Sequence, residues 1–228
     1  MPPPMIASSW RRPVILLVTL SYVLVVALSI VFFHARSNRL DSRIARELVA
    51  HLGPSWRSAL FELSRPVIAL ALLGLLVIAA LLSGRSDVAV LAIAGPSIAL
   101  GITELVLKPL VGRHWLNSAS LSFPSGHETG VASAAIVLLV ASCQLRLRAW
   151  HRALTVAVLT TWVVLAAVGL VRRPVHYATD TIGAVALSAA VVLTIALVID
   201  RAAAGRAWPR ARWRWRRSPD RWGPRRRP

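Results

Sequence analysis

The chain has 228 residues, of which 56% are hydrophobic and 16% charged, with a mean hydropathy of +0.63. Soluble domains carry about 25% charged residues, so this composition excludes an ordinary water-soluble domain, and its hydrophobicity excludes disorder over most of the length. Cys143 is the lone cysteine, which excludes a disulfide scaffold and a Cys-rich zinc site. The net charge of +18 comes from 27 basic and 9 acidic residues, and eleven of the basic residues lie between Arg201 and Arg227. The apolar bulk and the basic tail are therefore separate features.

Residues 14–33 form a run without a charge, long enough as a helix to span roughly 30 Å of hydrocarbon. Arg11 and Arg12 precede it, as in a signal peptide, but the apolar run is too long and no small-residue cleavage site follows Phe33. The run is expected to be an uncleaved first transmembrane helix. Residues 34–65 are the longest connection. Within it Leu40, Ile44 and Leu48 recur at helical spacing among Arg39, Asp41, Arg43, Arg46 and Glu47. That pattern predicts an amphipathic helix in the membrane interface, anchored by Trp56, with basic residues suited to anionic head groups.

Apolar stretches follow at about 66–82, 88–107, 129–145, 153–171 and 181–199. Gly95-Pro96 in the third crossing predicts a kink, which a bilayer bundle tolerates. The expected fold is therefore all-α, a polytopic bundle of about six transmembrane helices over residues 1–200. Residues 201–228 form a tail in which Trp208, Trp213, Trp215 and Trp222 alternate with arginines. The tail is expected to be disordered and cytoplasmic, and to hold anionic lipid or anchor the topology rather than bind nucleic acid specifically.

With six crossings, one side of the membrane carries 17 Arg and Lys residues and the other 10. The positive-inside rule then places both termini in the cytoplasm of a plasma-membrane protein. The tail decides this assignment, since without it the counts are 6 and 10.

Ionisable residues at or within membrane spans mark functional sites, and here they form three clusters. These are Glu104, Lys108 and Arg113; Ser125, Gly126 and His127 in the run PSGH; and Arg172, Arg173, His176 and Asp180. The first two share the loop between crossings three and four, and the third lies between crossings five and six. Two crossings separate them, so all three lie on one face, which the orientation above makes extracytoplasmic. Lys108, Arg113 and an arginine of the third cluster would gather cations suited to phosphate oxygens. Glu104, four residues before Lys108, would aim the lysine or form a plain helix-end ion pair. Ser125 and Gly126 would offer amides at a helix N-terminus, with Gly126 admitting a ligand to the backbone.

His176 and Asp180 are also four apart, within reach on a helical turn. A carboxylate on one imidazole nitrogen fixes the tautomer and frees the other nitrogen to attack phosphorus. His127 would protonate the departing oxygen and later activate water. The cations would stabilise the transferring phosphoryl group, so no metal or other cofactor is implied.

These residues resemble the type-2 phosphatidic acid phosphatase superfamily, which includes bacterial lipid phosphatases and shares its core with vanadium haloperoxidases. The signature of that superfamily is a Lys with a downstream Arg, then PSGH, then an Arg followed by HxxxD. The resemblance is strongest over 104–183, and the six-helix plan and the Leu40-Asp41 loop are similar more loosely. It implies phosphate binding by Lys108, Arg113, Ser125 and Gly126, a general acid at His127, a nucleophile at His176 partnered by Asp180, and metal independence.

Three positions depart from the signature. Trp115-Leu116 stand where Arg-Pro is usual. Leu170 stands at the usual arginine, leaving Arg172 and Arg173 as the candidates, and Glu128 stands where a small hydroxyl residue is common. The expected function is a membrane phosphatase that hydrolyses a lipid phosphomonoester or isoprenyl diphosphate through a phosphohistidine. A phosphotransferase using the same intermediate and an inactive binder of lipid phosphate are the alternatives.

Overall fold

The computed structural model describes residues 3–35, 38–115, 119–145, 147–173 and 175–214, with the side chains of 54, 55, 57 and 206–214 outside that description. The described residues contain nine α-helices, a short 3-10 turn at Ser8–Trp10 and a π-helical turn at Ile102–Leu107. Helix α1 (Arg11–Val31) begins at the arginine pair and runs through the first apolar stretch. Helix α2 (Arg39–His51) is the amphipathic helix expected in the long connection. Asn38 caps it, its side chain accepting from the Asp41 N–H at 2.7 Å, which satisfies one of the N–H groups a helix start leaves open. Helix α3 (Pro54–Glu62) follows, with Trp56 exposed.

The remaining helices are α4 (Pro66–Leu82), α5 (Ser86–Gly101) continued by the π turn and α6 (Lys108–Val111), then α7 (Gly126–Ser142), α8 (Ala149–Arg172) and α9 (Ala178–Arg214). Five segments are long and apolar enough to cross a membrane, and α7 is a shorter apolar helix beside them. Large apolar side chains of α1, α4 and α8, such as Leu16, Leu70 and Leu154, face outward. Such a surface suits lipid, not water. The protein is a multi-pass membrane protein of all-α fold.

Helix α9 runs through the middle of the bundle, packed against α1, α5 and α7. Small residues permit that closeness. Ala134, Ala184, Ala190 and Ala196 are fully buried, and a Cβ added to Gly95 would lie 3.3 Å from Val192 on α9. Gly95 therefore serves close packing. Helix α5 continues through Pro96, and the π turn follows it at Ile102–Leu107. Ser133 and Ser188 hydrogen-bond across α7 and α9 at 3.1 Å, a polar link of the kind that joins membrane helices.

At one end of the bundle the Met5 and Ile6 N–H groups donate to Asp200 at 2.8 and 3.0 Å. Met5, Ile6 and Asp200 thus lie at the same face. The three ionisable clusters lie at the opposite face, as the helix count requires. Helix α9 continues to Arg214, past the boundary expected at residue 200; the rest of the tail, with Trp215 and Trp222, lies outside the described residues.

Candidate active site

A cavity of about 530 Å³ opens at that face, lined by residues that include Glu104, Lys108, Trp115, Ser122, Gly126, His127 and His176. Four pieces of chain build it. The π turn and α6 bring Glu104 and Lys108, with Gly112 (φ 62°) ending α6 in the left-handed region that favours glycine. The Arg113–Ser122 loop folds back on itself through Trp115 N–H to Ser120 O (3.1 Å) and Ser122 N–H to Arg113 O (2.8 Å). The start of α7 presents Gly126 and His127, capped by Ser125, whose hydroxyl accepts from the Glu128 N–H at 3.3 Å. The segment before α9 presents His176.

The two histidine rings face each other across the cavity with centroids 6.3 Å apart. His176 Nδ1 lies 3.1 Å from the Ser122 carbonyl oxygen. A carbonyl only accepts, so Nδ1 carries the proton and Nε2 is the nitrogen with a free lone pair. The expected direct bond from Asp180 is replaced: its Oδ2 lies 3.7 Å from Nδ1 and accepts the Tyr177 N–H at 3.0 Å. The loop that forms the cavity rim thus sets the tautomer, and Asp180 stands one layer behind.

Asp180 belongs to a buried ionic cluster. Its Oδ1 accepts from Arg113 Nη1 at 2.6 Å, while Arg113 Nη2 donates to Asp41 at 2.6 Å. Thr179 joins by donating its N–H to Asp41 (3.0 Å) and by accepting from Arg113 Nη1 at its hydroxyl oxygen (2.7 Å). The guanidinium lies between the rings of Phe32 and Tyr177, 4.0 and 4.3 Å from their centroids. Arg113, Asp41 and Asp180 side chains are all fully buried.

Of the residues expected to bind phosphate, Lys108 and Gly126 line the cavity. Arg113 does not, because two carboxylates hold it in the interior. Ser125 is buried and serves as the α7 cap. Arg172 donates to the Leu52 carbonyl at 2.9 and 3.1 Å, and Arg173 lies over the Phe61 ring at 4.0 Å. Neither lines the cavity, because the last turn of α8 runs beside the C-cap of α2, which supplies Leu52, and beside α3, which supplies Phe61.

At the departing positions, Trp115 lines the cavity and packs against the Tyr177 ring, tilted by 45° with centroids 4.2 Å apart. Leu170 is fully buried, and Glu128 is fully buried with neither carboxylate oxygen hydrogen-bonded among the described residues. Leu116 lies outside the described residues. His114 is exposed and bridges to Leu121.

Two participants escaped the reading of the sequence as site residues. Asp41 reaches Arg113 from seventy-two positions away; its signal was a carboxylate beside the apolar stripe of α2, where solvent-facing charge would ordinarily sit on the opposite side. Ser122 acts through its carbonyl, which no side-chain pattern announces.

The cavity can bind an anion. It has one ammonium, the open N–H groups at the start of α7, a histidine with a free nitrogen, and a second histidine within reach of the same bound group. Residues 68–203 match the PAP2 superfamily. Comparison with curated proteins finds no match. The crystal structure of a transmembrane PAP2-type phosphatidylglycerolphosphate phosphatase from Bacillus subtilis is similar in fold, with a TM-score of 0.66 and 17% identity, covering 81% of this chain and 96% of that one.

Proposed function

The chain belongs to the PAP2 superfamily, and from that premise we propose that it is an integral membrane phosphatase acting on a lipid phosphomonoester or an isoprenyl diphosphate. The observation that carries this reading is the pair of histidines facing one another across a cavity that Lys108 lines, with His176 Nδ1 tied to the Ser122 carbonyl. His176 Nε2 attacks phosphorus, and the bond from phosphorus to the leaving oxygen breaks as His127 gives that oxygen its proton. Water then attacks the phosphohistidine and yields its proton to His127. Inorganic phosphate leaves and His176 is regenerated. Lys108 and the first amides of α7 neutralise the phosphoryl oxygens, so the reaction proceeds without a metal. Asp180 stabilises the positive charge that develops on His176.

In this reading the cavity opens on the extracytoplasmic side of the plasma membrane, with both termini in the cytoplasm and the basic tail near anionic head groups; the Arg and Lys distribution supports it. A head group would enter the cavity while its chains stay in the bilayer.

Phosphate release by the purified protein in detergent with EDTA tests the reading, using phosphatidic acid, phosphatidylglycerol phosphate and an isoprenyl diphosphate. Release is expected from at least one lipid, and His176→Ala abolishes it; full activity in that variant removes the nucleophile role. A non-catalytic lipid-phosphate binder is favoured by one observation. Lys108 is the sole arginine or lysine lining the cavity among the described residues. Binding without release would establish that second reading. An added alcohol acceptor that captures the phosphoryl group would identify a transferase.

A further inference from the structure

The place expected for a ligand is filled by the chain itself. Both oxygens of Glu104 accept from Lys108 Nζ, at 2.7 and 2.8 Å. Glu104 Oε1 also lies against the Cα of Gly126, since a Cβ added there would overlap it, while Lys108 Nζ would stand 3.7 Å from that Cβ. Gly126 thus admits a carboxylate of this chain to the backbone at the start of α7. Glu104, Lys108, Gly126 and His127 all line one cavity.

The pair differs from a plain helix-end ion pair in two respects. Its carboxylate is directed toward the start of another helix, where N–H groups without intrahelical acceptors favour negative charge. Its acid can also be reached by water and by an incoming anion, because the Glu104 side chain is 45% exposed and the lysine 17%. Glu104 sits on the π-helical turn Ile102–Leu107, a local irregularity that recurs at functional sites.

Resting on the reading of this cavity as a phosphate site, we propose that Glu104 sets the phosphate affinity of the enzyme by acting as an internal competitor for Lys108. In the empty site the carboxylate occupies the anion position. An incoming phosphate displaces it and takes the ammonium, and the carboxylate returns when phosphate leaves. Competition of this kind weakens substrate and product phosphate by the same factor, because both must displace the same group. It hastens clearance of inorganic phosphate from a cavity that would otherwise retain it.

Calorimetric titration of inorganic phosphate into the full-length protein in detergent tests this, comparing the unaltered chain with Glu104→Gln and Lys108→Ala. Glu104→Gln keeps the shape and removes the charge. It is expected to bind phosphate about tenfold more tightly, the order of one charge-assisted hydrogen bond exchanged. The KM for the lipid and the inhibition constant for phosphate should fall together by that factor. Glu104→Ala should do the same, which guards against an effect peculiar to the amide.

Weaker binding in both Glu104 variants would mean that the carboxylate aims Lys108, and unchanged binding would mean a plain ion pair; either overturns the proposal. Binding by the unaltered chain that is lost in Lys108→Ala, with Glu104→Gln unchanged, overturns the competitor role and leaves the phosphate site standing. Absence of phosphate binding in every form overturns both.

Discussion

Lys108 and Arg113 stand five residues apart in one motif, and each pairs with carboxylates, yet their surroundings give them different work. Among the described residues Lys108 has a single carboxylate partner at a cavity wall, and both side chains retain solvent contact. Arg113 has two carboxylate partners, a threonine hydroxyl and two aromatic faces, with no exposure at all. Exchange is open to the first pair, because water and an incoming anion can compensate each partner as they separate. It is closed to the second. Separating charges in the interior leaves each one desolvated and uncompensated, and that penalty exceeds what a solvent-reachable anion could return. Burial, more than charge, decides which cation of a motif can meet a ligand.

The strongest way to break this comparison is to remove each cation. Arg113→Ala strands two buried carboxylates and is expected to lower stability by about 3–5 kcal/mol, read as a large drop in the thermal unfolding midpoint in detergent. Should Arg113→Ala keep its midpoint and lose phosphate affinity instead, the two cations would have exchanged roles. Asp41→Asn removes one of the two carboxylates and keeps the shape. A smaller drop is expected, and also reduced activity, because Asp41 holds Arg113 and Thr179 in the layer behind His176.

Lys108→Ala should show the opposite profile. Its ion pair is solvent-accessible, so a stability loss of no more than about 1 kcal/mol is expected, while KM for the lipid rises at least about tenfold through loss of a charge-assisted contact. Steady-state kinetics and a melting curve on the same preparation check both halves. The smallest effects belong to the arginines at the end of α8. Arg173→Ala removes a cation–π contact of about 0.5–1 kcal/mol, and Arg172→Ala removes the bonds to the Leu52 carbonyl. Neither should change KM, and a rise in either variant would show that the arginine turns to the cavity when substrate is bound.

Much of this was legible in advance. Helix length in a bilayer follows from counting apolar residues, so the crossings at 66–82 and 153–171 coincide closely with α4 and α8. The common face of the three clusters follows from counting crossings. His127, His176 and Lys108 could be singled out because ionisable side chains among apolar helices are rare. Pro96, which removes a backbone donor, lies inside the continuous helix α5. The π turn that carries Glu104 follows one to two turns later, and nothing in the residue types of 102–107 announces it.

What stayed hidden has a common physical cause. Periodicity and composition report the solvent a segment prefers, and they speak of one segment at a time. They account for the apolar bundle and for the amphipathic helix α2. Pairings between distant segments depend on how helices dock. The partner of Arg113 comes from α2, the acceptor for His176 is a backbone carbonyl at Ser122, and the occupant of the space beside Gly126 is Glu104. Each of these follows from distances below 4 Å between parts of the chain whose separation in sequence carries no record of their approach. Residue type marked the groups able to do the chemistry. Packing selected which of them face the cavity, Lys108 and the two histidines, and which are held in the interior, Arg113 and Asp180, because a buried charge keeps its partners and an exposed one can change them.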